Sequence, residues 1–167
     1  MIYIPAGRAL EQTSGQTGGA GCTRRQTEAW QSRGKVVFMT PPFKPAGYTS
    51  ASPYLIVHGA ARTIEFLKRV FDAVELRAFP NDTGALMHAE VRIDDTVLML
   101  ADPVPPDWPA MPAHVHVYVQ DVDATYRRAL EAGADAVQAP VRKEDEDKRG
   151  GVKDSGGTTW WIATKME

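Results

Sequence analysis

The chain has 167 residues, 43% hydrophobic and 24% charged, with a formal net charge of -2, which is enough apolar material for one core and no electrostatic case for nucleic acid. No apolar run approaches the roughly 20 residues that span a bilayer, so a membrane role is not expected. Cys22 is the only cysteine, which excludes an intramolecular disulfide and a thiolate metal cluster and makes a reducing cytoplasm the expected compartment.

Residues 1–43 read as an N-terminal extension. The run Thr13-Ser14-Gly15-Gln16-Thr17-Gly18-Gly19-Ala20-Gly21, and the surplus of Arg8, Arg24, Arg25, Arg33 and Lys35 over Glu11 and Glu28, describe a basic tail of low hydrophobicity. Such a tail is expected to be disordered or poorly packed, with Met39-Thr40-Pro41-Pro42 as a natural beginning for the periodic part of the chain. It contains no apolar stretch with a cleavage site, so no secretory leader is expected. Its glycines lack the lysine and serine of a phosphate-binding loop.

From there the elements alternate. Pro53 to Val57 is a strand, and Ala60 to Phe71 a helix with Ile64, Leu67, Lys68 and Phe71 on one face. Val74 to Phe79 is a strand ended by Pro80, and Leu86 to Ile93 and Thr96 to Ala101 form a hairpin about Asp94-Asp95. The Pro-rich link Pro103-Val104-Pro105-Pro106-Asp107-Trp108-Pro109 is expected to be stiff and extended. Val115 to Val119 opens a second series. Asp121 to Ala132 is its helix, with Val122, Tyr126, Ala129 and Leu130 inward and Gly133 as a left-handed cap. Ala136 to Val141 is the next strand, and a last hairpin turns at Asp154-Ser155-Gly156-Gly157 and ends on Trp160 to Ala163. Ser52 to Ala101 and His114 to Ala163 are therefore one pattern written twice, 62 residues apart (114 minus 52). Two α+β units that each leave a sheet face bare should pair and enclose a cleft.

Strand alternation assigns the faces. Val115, Val117 and Val119 should meet the helix, leaving His114, His116 and Tyr118 toward the cleft. A two-residue turn at Asp94-Asp95 pairs Ile93 with Thr96 and sets Glu90 beside Met99. Met87, Ala89, Val91 and Ile93 then face the helix. Ser52, Tyr54 and Ile56 look into the cleft from the first strand, and Thr159, Trp161 and Ala163 from the last. Trp161 offers a flat apolar surface with an N–H handle, suited to an aromatic ligand, although core filling is an equal reading of the Trp160-Trp161 pair. The acidic run Glu144 to Asp147 reads as a solvated loop.

The phrases Pro53-Tyr54-Leu55-Ile56-Val57, Met87-His88-Ala89-Glu90, Val97-Leu98-Met99-Leu100-Ala101-Asp102, Val117 to Asp123, and Gly150 to Asp154 through Trp160-Trp161-Ile162-Ala163-Thr164 together resemble the glyoxalase/bleomycin resistance/dioxygenase superfamily, also called the vicinal oxygen chelate fold. The resemblance covers about Lys44 to Glu167. It looks closest to the phosphonate-operon-associated, or 3-demethylubiquinone methyltransferase-like, subgroup. It implies one α+β domain over 44–167, built from two βαβββ modules (about 48–102 and 112–167) that form a mixed-sheet half-barrel with helices outside, commonly a homodimer. In metal-dependent relatives four side chains hold a divalent ion. Carried onto this chain those places fall at Ser52, Met99, His114 and Trp161, of which only His114 is a competent ligand. The usual metal site is therefore not expected, and no cofactor is. In the subgroup's pattern Lys148, rather than Arg149, takes the anion-binding position.

Three functions remain open. The first is a small-molecule-binding protein whose cleft is lined by Tyr54, His88, Glu90, Met99, His114, His116, Tyr118 and Trp161, with Lys148 as a further ligand-binding residue. The second is a glyoxalase- or dioxygenase-like enzyme, with a relocated His/Glu metal site or with His114, His116 and Glu90 as acid/base groups. The third is a dimeric interaction module with a vestigial cleft.

Overall fold

Alternation of period two and helical runs of period 3.6 recur down the chain, and each becomes the element its period dictates. In the computed structural model, which describes residues 43–142, 144 and 146–166, the first module comprises β1 (Tyr54–Ile56), α1 (Ala60–Phe71), β2 (Val74–Pro80), β3 (Leu86–Ile93) and β4 (Thr96–Ala101). The second comprises β5 (His114–Tyr118), α2 (Val122–Glu131), β6 (Asp135–Arg142), β7 (Asp147–Lys153) and β8 (Thr159–Lys165). The expected N-terminal extension, all but Phe43, lies outside the described residues, as do Cys22 and Asp145 of the acidic run.

Each module makes a four-stranded mixed sheet, in the orders β1-β4-β3-β2 and β5-β8-β7-β6. The first strand of each runs parallel to the last, and the other pairs are antiparallel. A parallel neighbour cannot be reached by a tight turn, so a helix and further strands intervene. Both sheets are open rather than closed. Ile93 pairs with Thr96 and Glu90 with Met99, the register expected from the Asp94-Asp95 turn. Asp94 takes the left-handed conformation there, with φ 50.

The two helices start differently. Asp121 caps α2 directly, its side chain accepting from the Ala124 amide at 2.9 Å. α1 begins at Gly59, which has no side chain to cap with, so Asp102 caps it from beyond β4. Its Oδ1 accepts from the Gly59 and Ala60 amides at 2.8 and 3.1 Å, and its Oδ2 from the Leu86 amide at 2.8 Å. One carboxylate thus fastens the start of α1 to the start of β3.

The core is shared between the modules. Trp160 on β8 is wholly buried and its ring lies 5.5 Å from that of Phe71 at the end of α1. Its indole N–H donates to Asp154 Oδ2 at 3.0 Å, while Asp154 Oδ1 accepts from the Gly156 and Thr158 amides at 3.0 and 2.9 Å. Arg128 of α2 donates to the Val70 carbonyl of α1 at 2.7 Å. The turn at Gly156 sits against α1 so closely that a Cβ there would lie 2.4 Å from Thr63 Oγ1.

Three expectations need correction. Leu130 is exposed, and Thr125 takes an inner place instead, because the stripe Val122, Thr125, Tyr126, Ala129 is complete without it. Met87 is 60% exposed while Ala89 and Val91 on the same face are buried, so the cover of α1 stops short of the first rung of β3. The Pro-rich link is not extended: Val104 and Trp108 exchange both backbone hydrogen bonds at 2.8 Å and close a small loop, after which the Met111 amide donates to the Ile56 carbonyl at 3.1 Å. Among the described residues no helix is long and apolar enough to cross a membrane.

Candidate functional site

Helix packing consumes one face of each sheet and leaves the other as an open wall. On the first wall the paired residues run Tyr54, Met99, Glu90, Arg77 across β1, β4, β3 and β2, with Phe79 opposite His88 on the next rung. Tyr54, His88, Glu90 and Met99, all singled out in the sequence, therefore share this face.

Glu90 is the centre of the first wall. It is only 5% exposed. His88 Nε2 lies 3.0 Å from its Oε1, and Arg77 Nε 3.0 Å from its Oε2. Tyr48, from the segment before β1, donates its hydroxyl in a short hydrogen bond to Oε2 and accepts from Arg77 Nη2 at 3.0 Å. The second nitrogen of His88, Nδ1, meets the Tyr54 hydroxyl at 2.9 Å. A carboxylate only accepts, so His88 Nε2 carries a proton and donates it to Glu90. Burial pushes the Glu90 carboxyl up, but the hydrogen bonds from Tyr48 and His88 and the Arg77 guanidinium outweigh it, holding the group below the ordinary glutamate range. The hydrogen bond to Glu90, then burial, raises the Tyr48 phenol. Burial, then the Glu90 charge, raises Tyr54. Both phenols stay protonated at neutral pH. Rings flank this hydrogen-bonded series: Phe79 lies 6.2 Å from His88 at 25°, and Trp108 lies 6.3 Å from Tyr54.

The second wall has a different chemistry. His114, His116 and Tyr118 pair with Thr159, Trp161 and Ala163 in parallel register, so all six share the open face, as expected. Trp161 lies flat on the sheet, since a Cβ on Gly151 would sit 2.7 Å from Cζ3 and 2.9 Å from Cε3 of its ring. Its indole N–H donates to His114 Nδ1 at 3.1 Å, with the rings 13° from parallel and centroids 6.2 Å apart. An indole N–H points in the ring plane, so the two rings meet edge to edge rather than face to face, and together make one flat surface. His116 packs against Tyr118 at 4.8 Å, and the Tyr118 hydroxyl donates to Asp147 at 2.9 Å.

Lys148 is not on this wall. Gly151, beneath Trp161, faces the open side; Gly150 faces Tyr126 of α2. Lys148 shares the parity of Gly150 and pairs with Asp123 of α2 at 2.5 Å. The alternation that puts Lys148 against the helix puts Arg149 on the open face, the reverse of the expected placement.

The usual metal positions do not fit an ion. The Trp161 nitrogen is a donor already committed to His114, and Met99 offers only a thioether. Nor do the histidines gather. His88 pairs with Glu90 on one sheet while His114 and His116 stand on the other, and among the described residues no three His, Cys, Asp or Glu side chains are placed to hold a metal. The described contacts do not join the two walls. A groove of about 530 Å³ at the seam of the modules is lined by Asp72, Asp94, Asp121 and Arg128 and includes Tyr118, but neither His88 nor Trp161.

Sequence reasoning missed Tyr48, Arg77 and Gly151. Arg77 was recoverable, because the β2–β3 register sets it opposite Glu90. Gly151 carried the weaker signal of a glycine pair within a strand. Tyr48 precedes the first periodic segment and carried none.

An uncharacterized protein of Mycobacterium bovis is 40% identical over 119 residues, which span 65% of this chain and 78% of that one. Among solved structures, TioX from Micromonospora sp. ML1 matches 70% of this chain and 99% of its own at a TM-score of 0.56 and 24% identity. TnmS3, an antibiotic binding protein from Streptomyces sp. CB03234, matches 70% and 97% at 0.55 and 20% identity; at such identities these structures speak for the fold. Residues 48–162, nearly the whole of both modules, match the family model, so this chain belongs to the Glyoxalase/Bleomycin resistance protein/Dioxygenase superfamily.

Proposed function

We propose that the protein binds a planar, largely apolar small molecule against the Trp161–His114 surface, without the family's usual metal ion. The observation that carries this reading is the edge-to-edge pair lying flat over Gly151. A fixed, half-buried aromatic plane gives stacking area at little conformational cost. The description of TnmS3 as an antibiotic binding protein is in keeping with it.

The cleft is part of the proposal. A second copy of the chain closes it in a homodimer, bringing the first wall of one copy over the second wall of its partner. The apolar side chains Phe79, Trp108 and Tyr118 stand about half exposed or more, and a second copy would cover them. Native mass spectrometry of gently purified protein should find a dimer, with retained or added planar aromatic ligand lost in Trp161→Ala. A ligand retained unchanged by Trp161→Ala refutes the platform; a monomer at micromolar concentration refutes the dimer.

A further inference from the structure

The first wall holds a hydrogen-bonded series that a passive binding surface does not require. Glu90 orients His88 through Nε2, and His88 presents Nδ1 to the hydroxyl of Tyr54. Arg77 and Tyr48 close the far side of the carboxylate. The end of the series is the part that meets solvent: Tyr54 is 40% exposed, and the flanking rings of Phe79 and Trp108 are about half exposed.

We propose that Tyr54, His88 and Glu90 form a proton relay that binds a phenolic ligand as its phenolate, with the ligand ring lying against Phe79 and Trp108. The relay rests on the reading of the open walls as ligand surfaces but occupies the wall opposite to Trp161.

The proton bookkeeping closes without a further reactant. The ligand O–H passes its proton to Tyr54 Oη as Tyr54 passes its own to His88 Nδ1. The products are a phenolate, a neutral Tyr54 and an imidazolium held between Tyr54 and the Glu90 carboxylate. No electron changes owner. Tyr54 is never an anion, in keeping with a phenol that burial and the Glu90 charge both discourage from ionising. Glu90 stays charged because Arg77 and Tyr48 face it, and a charged Glu90 is what makes the imidazolium acceptable on a half-covered sheet. The groups facing His88 are Glu90 on its own strand and Tyr54 on β1, with Arg77 of β2 and Tyr48 behind Glu90; Arg92 shares the face beyond Glu90.

The aromatic rings select the ligand class. An aliphatic alcohol would leave them uncovered and is too weak an acid for imidazole to deprotonate. A carboxylic acid arrives already ionised and has no proton to give.

The test uses the full chain and 4-nitrophenol, whose phenolate absorbs visible light, at a pH near the probe's own titration, where an ordinary imidazole is mostly neutral. Binding should raise the phenolate-to-phenol ratio of the bound probe about tenfold, equivalent to one unit of apparent acidity. His88→Gln and Tyr54→Phe should return the ratio to that of free solution. Trp161→Ala should lower the amount of probe bound, while the fraction that remains bound keeps its raised ratio, because the proton passes through Tyr54 and His88 alone. Circular dichroism establishes that each variant is folded, and Tyr54→Phe, which removes one partly exposed hydroxyl, serves if His88→Gln does not fold. Failure of the probe to bind by equilibrium dialysis, bound probe with an unshifted ratio, or a shift that survives His88→Gln or Tyr54→Phe overturns the relay. A shift lost only in Trp161→Ala also overturns it, while leaving the platform reading standing.

Discussion

Gly151→Ala probes the flat surface while leaving the residues that carry its two rings unchanged. The added Cβ would lie 2.7, 2.9 and 3.3 Å from Cζ3, Cε3 and Cη2 of Trp161, where carbon atoms rest about 3.5–4.0 Å apart. The indole must rise by about 1 Å, and as it tilts it leaves His114 Nδ1. Overpacking costs about 1–3 kcal/mol and a neutral hydrogen bond about 0.5–1.5 kcal/mol. Because Trp161 can move outward, the low end applies: about 1–2 kcal/mol in all, or a fall in Tm of about 3–6 °C for a domain of this size. Thermal melts followed by circular dichroism measure it, and a planar aromatic ligand should bind about tenfold more weakly. The decisive comparison is the double variant. In a Trp161→Ala background the same Gly151→Ala change should cost almost nothing. An equal loss of Tm in both backgrounds would place the strain in the β7 backbone and refute the account of the platform.

Three further outcomes are expected. Glu90 is held below its ordinary value of 4.5 in the folded chain, so below that value the unfolded chain binds more protons, and the stability Glu90 contributes is lost as pH falls through its folded value. Denaturant unfolding should therefore show wild-type stability falling more steeply than that of Glu90→Gln at pH below about 4.5; parallel curves would contradict the ion-pair geometry. Thr63 Oγ1 is buried with no hydrogen-bond partner among the described residues, and Thr63→Val should raise stability by roughly 1 kcal/mol, read as a higher urea midpoint. Asp154→Asn should set an amide N–H against the buried Trp160 N–H, costing about 1–3 kcal/mol, and a Tm equal to wild type would argue against that bond.

The fold was legible because each element declared its period locally. The Asp94-Asp95 turn alone fixed the Glu90–Met99 register, and the valines of β5 fixed which way its histidines point. The failures lie where one residue's position depends on another element. Leu130 has helical spacing, but the stripe that matters is set by what α2 packs on. Lys148 and Arg149 exchanged faces because the irregular β6–β7 pairing and the acidic loop before it offer no period to count from. The imidazole–indole pair was half visible: alternation put His114, His116 and Trp161 on one face, while the hydrogen bond between His114 and Trp161 depends on the glycine beneath. The Glu90 network needed Tyr48, which no pattern marks.

The burial of Trp160 against Phe71 has a bearing on how the molecule comes apart. Neither half can complete its interior without a ring or helix supplied by the other, so the duplicated halves should melt together in a single cooperative transition. A gene cut at the Pro-rich link should yield two polypeptides that fold only when expressed together.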